Sequence, residues 1–353
     1  MDRIEKLTRM LDSQSLDAFY ITHLPNIRYL TKFSGSSGLV ILTRTNKYFI
    51  TDFRYKEQSA MEVKGFDIII NYDNKEEVKA IFKKDNLRSV GFEASHLSYS
   101  ALENNKKNFD GVKFVPLTDE IEKLTVQKTP EEIESVRKAI EITDLAFSKV
   151  LEIIKPGVKE LDISAEITYM HKKFGALKDS FEPIIASGWR GALPHGIASD
   201  KIIKEGEMVT LDIGCQYNGF SSDMTRTVSV GKPSDEMKKI YDIVFDSQQM
   251  GIEKAKAGIT SKQLDSVSRN YINSKGYSEN FGHGLGHGLG IEVHEMPGLN
   301  QRTEVPLLEN SIVTIEPGIY IDNIGGVRIE DDVLLNDKGC EVLNKSPKDL
   351  IIL

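Results

Sequence analysis

Two cysteines in 353 residues, Cys215 and Cys340, are too few for a disulfide scaffold and fit a chain kept in a reducing compartment. Cys215 lies in an apolar, strand-like run and reads as a small packing residue rather than a ligand or nucleophile. No apolar run approaches the roughly 18 uninterrupted residues of a membrane span, so none is expected. A surplus of cations is missing too. The net charge is −8, and basic pairs such as Lys83-Lys84 and Lys106-Lys107 sit among acids, which argues against nucleic acid as a partner. There is no glycine loop with lysine of the kind that cradles phosphate, which sets aside phosphoryl chemistry. The first residues, Met1-Asp2-Arg3-Ile4-Glu5-Lys6-Leu7, mix charge with apolar positions at helical spacing instead of forming the apolar core of a signal peptide. A soluble, cytoplasmic chain is expected.

The length exceeds what one hydrophobic core usually serves, so two domains are expected. Residues 1–124 alternate helix-like segments with short apolar runs: Ala18-Phe19-Tyr20-Ile21, Leu39-Val40-Ile41-Leu42, Tyr48-Phe49-Ile50, Phe66-Asp67-Ile68-Ile69-Ile70 and Ser89-Val90-Gly91-Phe92. That alternation predicts an α/β domain with its own core. Thr129, Pro130 and Glu132 then make a capping box with proline in the first helical turn. A long helix should open a second domain, 125–353. Ile133, Val136, Ile140, Thr143, Leu145, Phe147 and Val150 are read as its buried face, continuing to about Ile154, with Pro156-Gly157 as its stop.

The second domain repeats itself. Lys155-Pro156-Gly157-Val158 precedes a stretch with Leu161, Ala165, Ile167 and Met170 at helical spacing, and Lys256-Ala257-Gly258-Ile259 precedes one with Leu264, Val267, Tyr271 and Ile272. Residues 207–214 and 311–318 are β-rich runs that each end on a carboxylate followed by Xaa-Gly, namely Asp212 and Glu316. Each acid has a second one downstream, Asp223 four residues after Gly219 and Glu330 four residues after Gly326. Asn218-Gly219 is a two-residue hairpin signal. In that register Asp212 opposes Thr225 and Asp223 lies two residues along the same strand, so both carboxylates project from one face with β-carbons under about 7–8 Å apart. Like charges this close are costly unless a cation compensates them. Glu316 and Glu330 are expected to repeat this geometry around a longer turn, residues 322–326. All four sit in apolar context, where a carboxylate needs a partner or a metal. Between the halves, Gly282-His283-Gly284-Leu285-Gly286-His287-Gly288-Leu289-Gly290 is followed by His294, while His195 ends the run Gly191-Ala192-Leu193-Pro194-His195. Four oxygen donors and clustered imidazoles read as a metal site between two pseudo-symmetric halves.

The set Asp212, Asp223, His287, Glu316 and Glu330, with His195, His283, His294 and Arg328 around it, resembles the dinuclear metallopeptidases of pita-bread fold. Within them it is most similar to the proline-specific branch, the Xaa-Pro dipeptidases (prolidases) and aminopeptidases P. Pro25-Asn26-Ile27-Arg28-Tyr29-Leu30 and Thr51-Asp52-Phe53-Arg54-Tyr55 resemble that branch's N-terminal domain, and residues 187–196 its substrate loop, so the likeness spans the chain. It implies an α/β N-terminal domain followed by an α+β pita-bread catalytic domain built from two pseudo-symmetric halves. It further implies two divalent metal ions per chain, with Asp212 on one, His287 and Glu316 on the other, and Asp223 and Glu330 bridging. An oxygen-rich set with one imidazole favours Mn2+, with Co2+, Zn2+ or Fe2+ as alternatives. By the same resemblance Glu316 is the proton shuttle, His195 and His294 stabilise charge on the intermediate, and His283 seats the substrate. Arg328 should face the same side as Glu330 and either order a ligand or bind a carboxylate. Trp189 and Arg190 are expected to share in substrate binding with His195, His283, His294 and Arg328. The expected substrates are short proline-containing peptides cut at a free N-terminus, dipeptides first. Longer Xaa-Pro-Xaa peptides and relaxed cleavage of Met-Xaa are the alternatives, and a catalytically inactive binding module on the same fold is the reading from another class. The likeness also implies a homodimer in which the N-terminal domain narrows access to the metal centre.

Overall fold

The computed structural model describes residues 3–71 and 74–353. Met1 and Asp2, at the head of the expected first helix, lie outside the described residues; that helix, α1, runs Arg3–Ser13. The chain separates into two compact units, the first ending at Thr125 and the second spanning Val126–Leu353.

In the first unit six strands make one sheet. They are β1 (Ala18–Ile21), β2 (Leu39–Thr43), β3 (Lys47–Thr51), β4 (Asp67–Ile70), β5 (Ser89–Glu93) and β6 (Lys113–Leu117), in the order β4-β3-β2-β1-β5-β6. The β1–β2 and β2–β3 pairs are antiparallel; β1–β5, β3–β4 and β5–β6 are parallel. Five of these strands follow from the apolar runs. The sixth escapes that reading because Pro116 interrupts it, and a proline without an N–H is tolerated where β6 stands, at the sheet's edge. Besides α1, five helices accompany the sheet, α2 (Leu24–Thr31), α3 (Lys56–Glu62), α4 (Asn74–Lys84), α5 (Tyr99–Asn108) and α6 (Glu122–Thr125). Val78 and Phe82 of α4 pack with Ile41, Tyr48 and Val90 of the sheet. Burying each such side chain contributes roughly 1.5–3 kcal/mol.

The second unit opens with α7 (Pro130–Val150). The Thr129 hydroxyl accepts from the Glu132 N–H at 3.4 Å and the Glu132 carboxylate accepts from the Thr129 N–H at 2.9 Å, closing the expected capping box. The helix ends at Val150 rather than near Ile154, and Leu145 points to solvent. At about 100° per residue, Val136, Ala139, Ile140, Thr143, Ala146, Phe147 and Val150 share one stripe, and Leu145 lies well round from it. The same correction applies to α8 (Glu160–Lys173), where Leu161 and Ala165 are exposed and Ile163, Ile167 and His171 are buried. In α8 the exposed Leu161, Ala165 and Tyr169 make a second apolar row at i, i+4 and i+8, whereas Leu145 of α7 stands alone on a face with Glu134, Lys138, Glu141 and Lys149.

Two similar halves follow. The first has α8, β7 (Lys178–Asp179), β8 (Ile184–Ser187), β9 (Met208–Ile213), β10 (Cys215–Tyr217), β11 (Phe220–Ser221) and β12 (Met224–Ser229). The second has α9 (Asp235–Lys254), α10 (Ser261–Ser274), β13 (Gly286–Gly288), β14 (Glu295–Leu299), β15 (Ile312–Ile315), β16 (Gly318–Ile321), β17 (Gly325–Arg328), β18 (Asp331–Leu335) and β19 (Cys340–Val342). Sheet β12-β9-β8 answers to β14-β13-β15-β18-β19, and hairpin β10-β11 to β16-β17. Each half has its own core, Val150, Ile167, Leu211 and Val228 in the first and Val244, Leu264, Val313 and Val333 in the second. Arg226 of β12, 2% exposed, ties them together through a 2.7 Å pair with Asp331 of β18. Among the described residues no helix is long and apolar enough to cross a membrane.

Candidate metal centre

The acids are set by strand register. Asp212 of β9 pairs with Thr225 of β12 as expected, and Asn218 and Gly219 both have positive φ, 49° and 83°, as the tight hairpin turn between β10 and β11 requires. Gly214 follows because the chain passes so close there that a β-carbon would meet the Ser222 carbonyl oxygen at 2.0 Å. The second half does not copy the first. Ile315 opposes Asp331 and Gly318 opposes Arg328, so the register between them sets Glu330 directly across from Glu316, where Asp223 lies on the diagonal from Asp212. A two-residue shift in pairing separates the two turns, which spacing from the turn glycine alone could not show.

The histidine-rich run is glycine-rich because it threads between strands. A β-carbon at Gly286 would meet the Thr314 carbonyl oxygen of β15 at 2.1 Å, and one at Gly288 the Met296 oxygen of β14 at 2.1 Å. That passage brings His287 Nε2 to 3.3 Å from Glu316 Oε1 and 3.7 Å from Asp223 Oδ2. Ligand-type atoms of Asp223, His287 and Glu330 lie within 4.8 Å of one another. His287 Nδ1 faces the Gly288 carbonyl at 3.1 Å and so carries the ring proton, leaving Nε2 as a lone pair toward the acids. Burial lowers the pKa of this imidazole and keeps it neutral.

Burial, and after it the Glu330 and Asp212 carboxylates, pushes Asp223 well above the carboxylate range. Glu330 is raised in the same way by burial and then by Glu316 and Asp212, and burial lifts Glu316 to about 8. Four carboxylates this close can all be ionised only with positive charge among them. Oδ1 of Asp212, Oδ1 of Asp223 and Oε1 of Glu330 are buried without a hydrogen-bond donor, an arrangement that costs about 1–3 kcal/mol per atom unless a cation meets them. Five donors, four of them oxygen, therefore fit hard or borderline divalent ions.

A surrounding layer of hydrogen bonds fixes these side chains. Thr225 donates to Glu330 at 2.6 Å, Thr314 to Glu316 at 3.2 Å, and the Asp223 N–H to Asp332 at 3.1 Å. Arg328 donates to Asp212 at 2.6 Å, to Thr225 at 3.0 Å and to the Tyr320 hydroxyl at 2.9 Å. That hydroxyl in turn donates to Nε2 of His283 at 2.9 Å, since Nδ1 of His283 is committed to the Gly284 carbonyl at 2.7 Å. Burial, with Arg328 second, pushes His283 down to about 4. Tyr320, Thr225 and Thr314 do not stand out in the sequence. Thr314 lies two residues before Glu316 and Tyr320 four after it, so a search at even spacing from the acid finds both.

The acids line a cavity of about 560 Å³ together with His195, His283, His287, His294 and Arg328. His294 sets its ring edge against His287, centroids 4.4 Å apart. Two expected substrate residues are elsewhere. Trp189 is 52% exposed and does not line the cavity. Arg190 is turned to the fully buried Glu160, its Nε 2.9 Å from Oε2, and to the Ile197 carbonyl. Glu160 also accepts from Ser187 and Ser199, so it gathers the loop from within, and a buried carboxylate outcompetes solvent-side ligands for the guanidinium. The walls are made instead by Phe181, Glu182, Ile184, Pro194, Ile197 and Asn300.

Comparison with known proteins agrees with this geometry. Residues 134–337 match Metallopeptidase family M24, and residues 3–125 match the Creatinase/Prolidase N-terminal domain. The Xaa-Pro dipeptidase of Pyrococcus furiosus is 40% identical over 355 residues, 99% of each chain. The structure of an Xaa-Pro dipeptidase from Bacillus anthracis superimposes with a TM-score of 0.97 at 44% identity, covering 99% of both chains. That of an X-Pro aminopeptidase from Thermotoga maritima gives 0.93 at 37% identity over 100% of both. A buried nest of carboxylates around one imidazole, on a duplicated α+β frame and matched along its whole length, makes this chain a member of metallopeptidase family M24 with a creatinase/prolidase N-terminal domain, a peptidase dependent on divalent metal ions.

Proposed function

We propose that this chain hydrolyses the Xaa-Pro bond at a free N-terminus, with Xaa-Pro dipeptides as its first substrates. The observation that carries the reading is the convergence of Asp212, Asp223, His287, Glu316 and Glu330 with three buried carboxylate oxygens lacking donors. The full-length likeness to proteins named Xaa-Pro dipeptidase supports the bond cleaved. Asp212, Asp223 and Glu330 would hold one ion and His287, Glu316 and the same two bridging acids a second, Mn2+ being favoured by the oxygen-rich set. Such ions, when bound, polarise a carbonyl and make water acidic enough to react near neutral pH.

The chain's own groups do the rest. Glu316, steadied by Thr314, takes a proton from the attacking water and gives it to the departing proline nitrogen, which leaves as an amine. His195 and His294, on the open side of the cavity, donate hydrogen bonds to the carbonyl oxygen as it gains charge. Arg328 holds Asp212 in its ligating orientation, and Tyr320 holds His283. Phe181, Ile184, Pro194 and Ile197 give apolar walls for a residue without an N–H and for the side chain before it.

One observation favours the second reading, an aminopeptidase on longer peptides. Of the two arginines expected near a free C-terminal carboxylate, Arg190 is held by Glu160, and Arg328 is already on Asp212. The test compares kcat/KM for Met-Pro, its C-terminal amide, Met-Pro-Xaa and Met-Ala with the Mn2+-loaded protein. Preference for the free acid supports a dipeptidase, equal or better cleavage of the tripeptide makes it an aminopeptidase, and Met-Ala cleaved as fast as Met-Pro defeats proline specificity.

A further inference from the structure

Among the described residues, ligand-type side chains also gather away from the catalytic centre, in the first unit: His23, His96 and Glu122. His23 precedes α2, His96 follows β5 and Glu122 begins α6, so three distant stretches of chain meet here. Their nitrogen and carboxylate oxygen atoms lie within 4.8 Å of one another. The His23 and His96 rings stack with centroids 3.5 Å apart and planes 8° from parallel, and His96 Nε2 is 2.9 Å from Glu122 Oε1.

A supporting layer lies beneath them. The Asn26 amide donates to Glu122 at 2.6 Å and to Glu93 at 2.8 Å, while Glu93 accepts the backbone N–H of His23 at 2.8 Å and of Thr22 at 2.7 Å. Glu93 is 4% exposed, so the carboxylate of one member and the backbone of another are both fixed from the interior. Outer hydrogen bonds of this kind orient ligands around metals. The side chains of His96 and Glu122 keep 25% and 22% exposure, which leaves an entry for a solvated ion. The hydrolytic mechanism uses none of these residues.

We propose that His23, His96 and Glu122 bind one divalent ion of borderline softness, Zn2+ fitting best, at a site separate from the catalytic centre. Two imidazoles with one carboxylate form a ligand set of the kind Zn2+ takes with a water in its fourth position, whereas the oxygen-rich catalytic set suits Mn2+. The ion takes the place of the proton on His96 Nε2 that faces Glu122, and that proton moves to Nδ1 of the same ring, so the imidazole binds as a neutral ligand. The in-plane lone pairs of two stacked parallel rings lie in separate parallel planes and do not meet at a common point. Closing on the ion therefore turns the more exposed ring, His96, out of the stack and brings each ligand to about 2.0–2.2 Å from the metal. Occupancy joins the three segments and stabilises the first unit by mass action.

The test uses the full chain, stripped of metal and then dialysed against buffered Zn2+ at a fixed low-micromolar level, followed by metal analysis. His96→Gln and His23→Gln are each expected to hold one Zn2+ per chain fewer than the wild type. Both should keep hydrolysis of Met-Pro in Mn2+ within about twofold, and their thermal midpoints should rise less with added Zn2+ than that of the wild type. If His23→Gln fails to fold, His96→Gln, at a solvent-exposed ring, decides alone. A Zn2+ count in folded His96→Gln equal to that of the wild type overturns the proposal.

Discussion

His287 and His195 line the same cavity, but only one of them has its lone pair among the acids. His287 Nε2 is within 3.7 Å of both Asp223 and Glu316, whereas His195 sits on an exposed stretch beside Pro194. Replacing His287 with Ala is therefore expected to lower bound metal. Replacing His195 or His294 with Ala should leave metal content unchanged and reduce kcat by about 10²–10³-fold, the usual loss when one donor to a developing oxyanion is removed. Metal analysis beside kinetics checks the split, and metal lost from the His195 variant would show the assignment of roles to be wrong. At this scale the convergence of the proposed ligands is legible in the sequence because four acids in apolar strand context, beside a clustered imidazole, can hardly stay ionised without a cation. Thr225, Thr314 and Tyr320 are not legible, because hydroxyl residues on strands are common and only their hydrogen bonds distinguish these. Arg190 misleads for the converse reason: its loop resembles a substrate loop, yet the buried partner that claims its guanidinium, Glu160, lies 30 residues away in sequence.

Between elements, the Arg226–Asp331 pair locks β12 of one half to β18 of the other, with Lys348 adding a second cation at 2.6 Å from Asp331. Burial pushes the Asp331 carboxyl up, but Arg226 and Lys348 outweigh it and hold the group below the usual carboxylate range. The unfolded chain then binds the proton more tightly than the folded one. The pair's contribution is complete above the unfolded value of about 3.9 and is lost as pH falls through the lower folded value. Urea unfolding of the wild type should show this loss below about pH 4. Asp331→Asn should lack that part of the acid dependence and be less stable by about 3–5 kcal/mol near neutral pH, since Arg226 is left buried with its charge uncompensated. An Asn variant as stable as the wild type at pH 7 would contradict the lock. Helices and strands are legible from period and caps, as with Thr129 and α7. The face that a helix buries is less so, because Leu145 and Leu161 are apolar yet exposed to solvent, and the two-residue shift at Glu330 depends on a turn whose length sets pairing only in three dimensions.

The whole molecule carries its chemistry through duplication. Each half presents two carboxylates from paired strands, neither half alone makes the site, and His287 enters on β13, which glycines thread between β14 and β15. This plan is legible because the repeat is written twice in the chain, acids and turn glycines included. On the proposed reading, five side chains contributed by both halves would hold two ions, and without them the bond is not cut. The most direct measurement strips the protein with chelator, returns Mn2+ in known ratio to protein, and follows Met-Pro hydrolysis alongside bound metal. Activity should be absent in the stripped protein and reach its plateau at two Mn2+ per chain, with Glu330→Gln failing to recover at any ratio; full turnover by the metal-free protein, or by Glu330→Gln, would contradict the account.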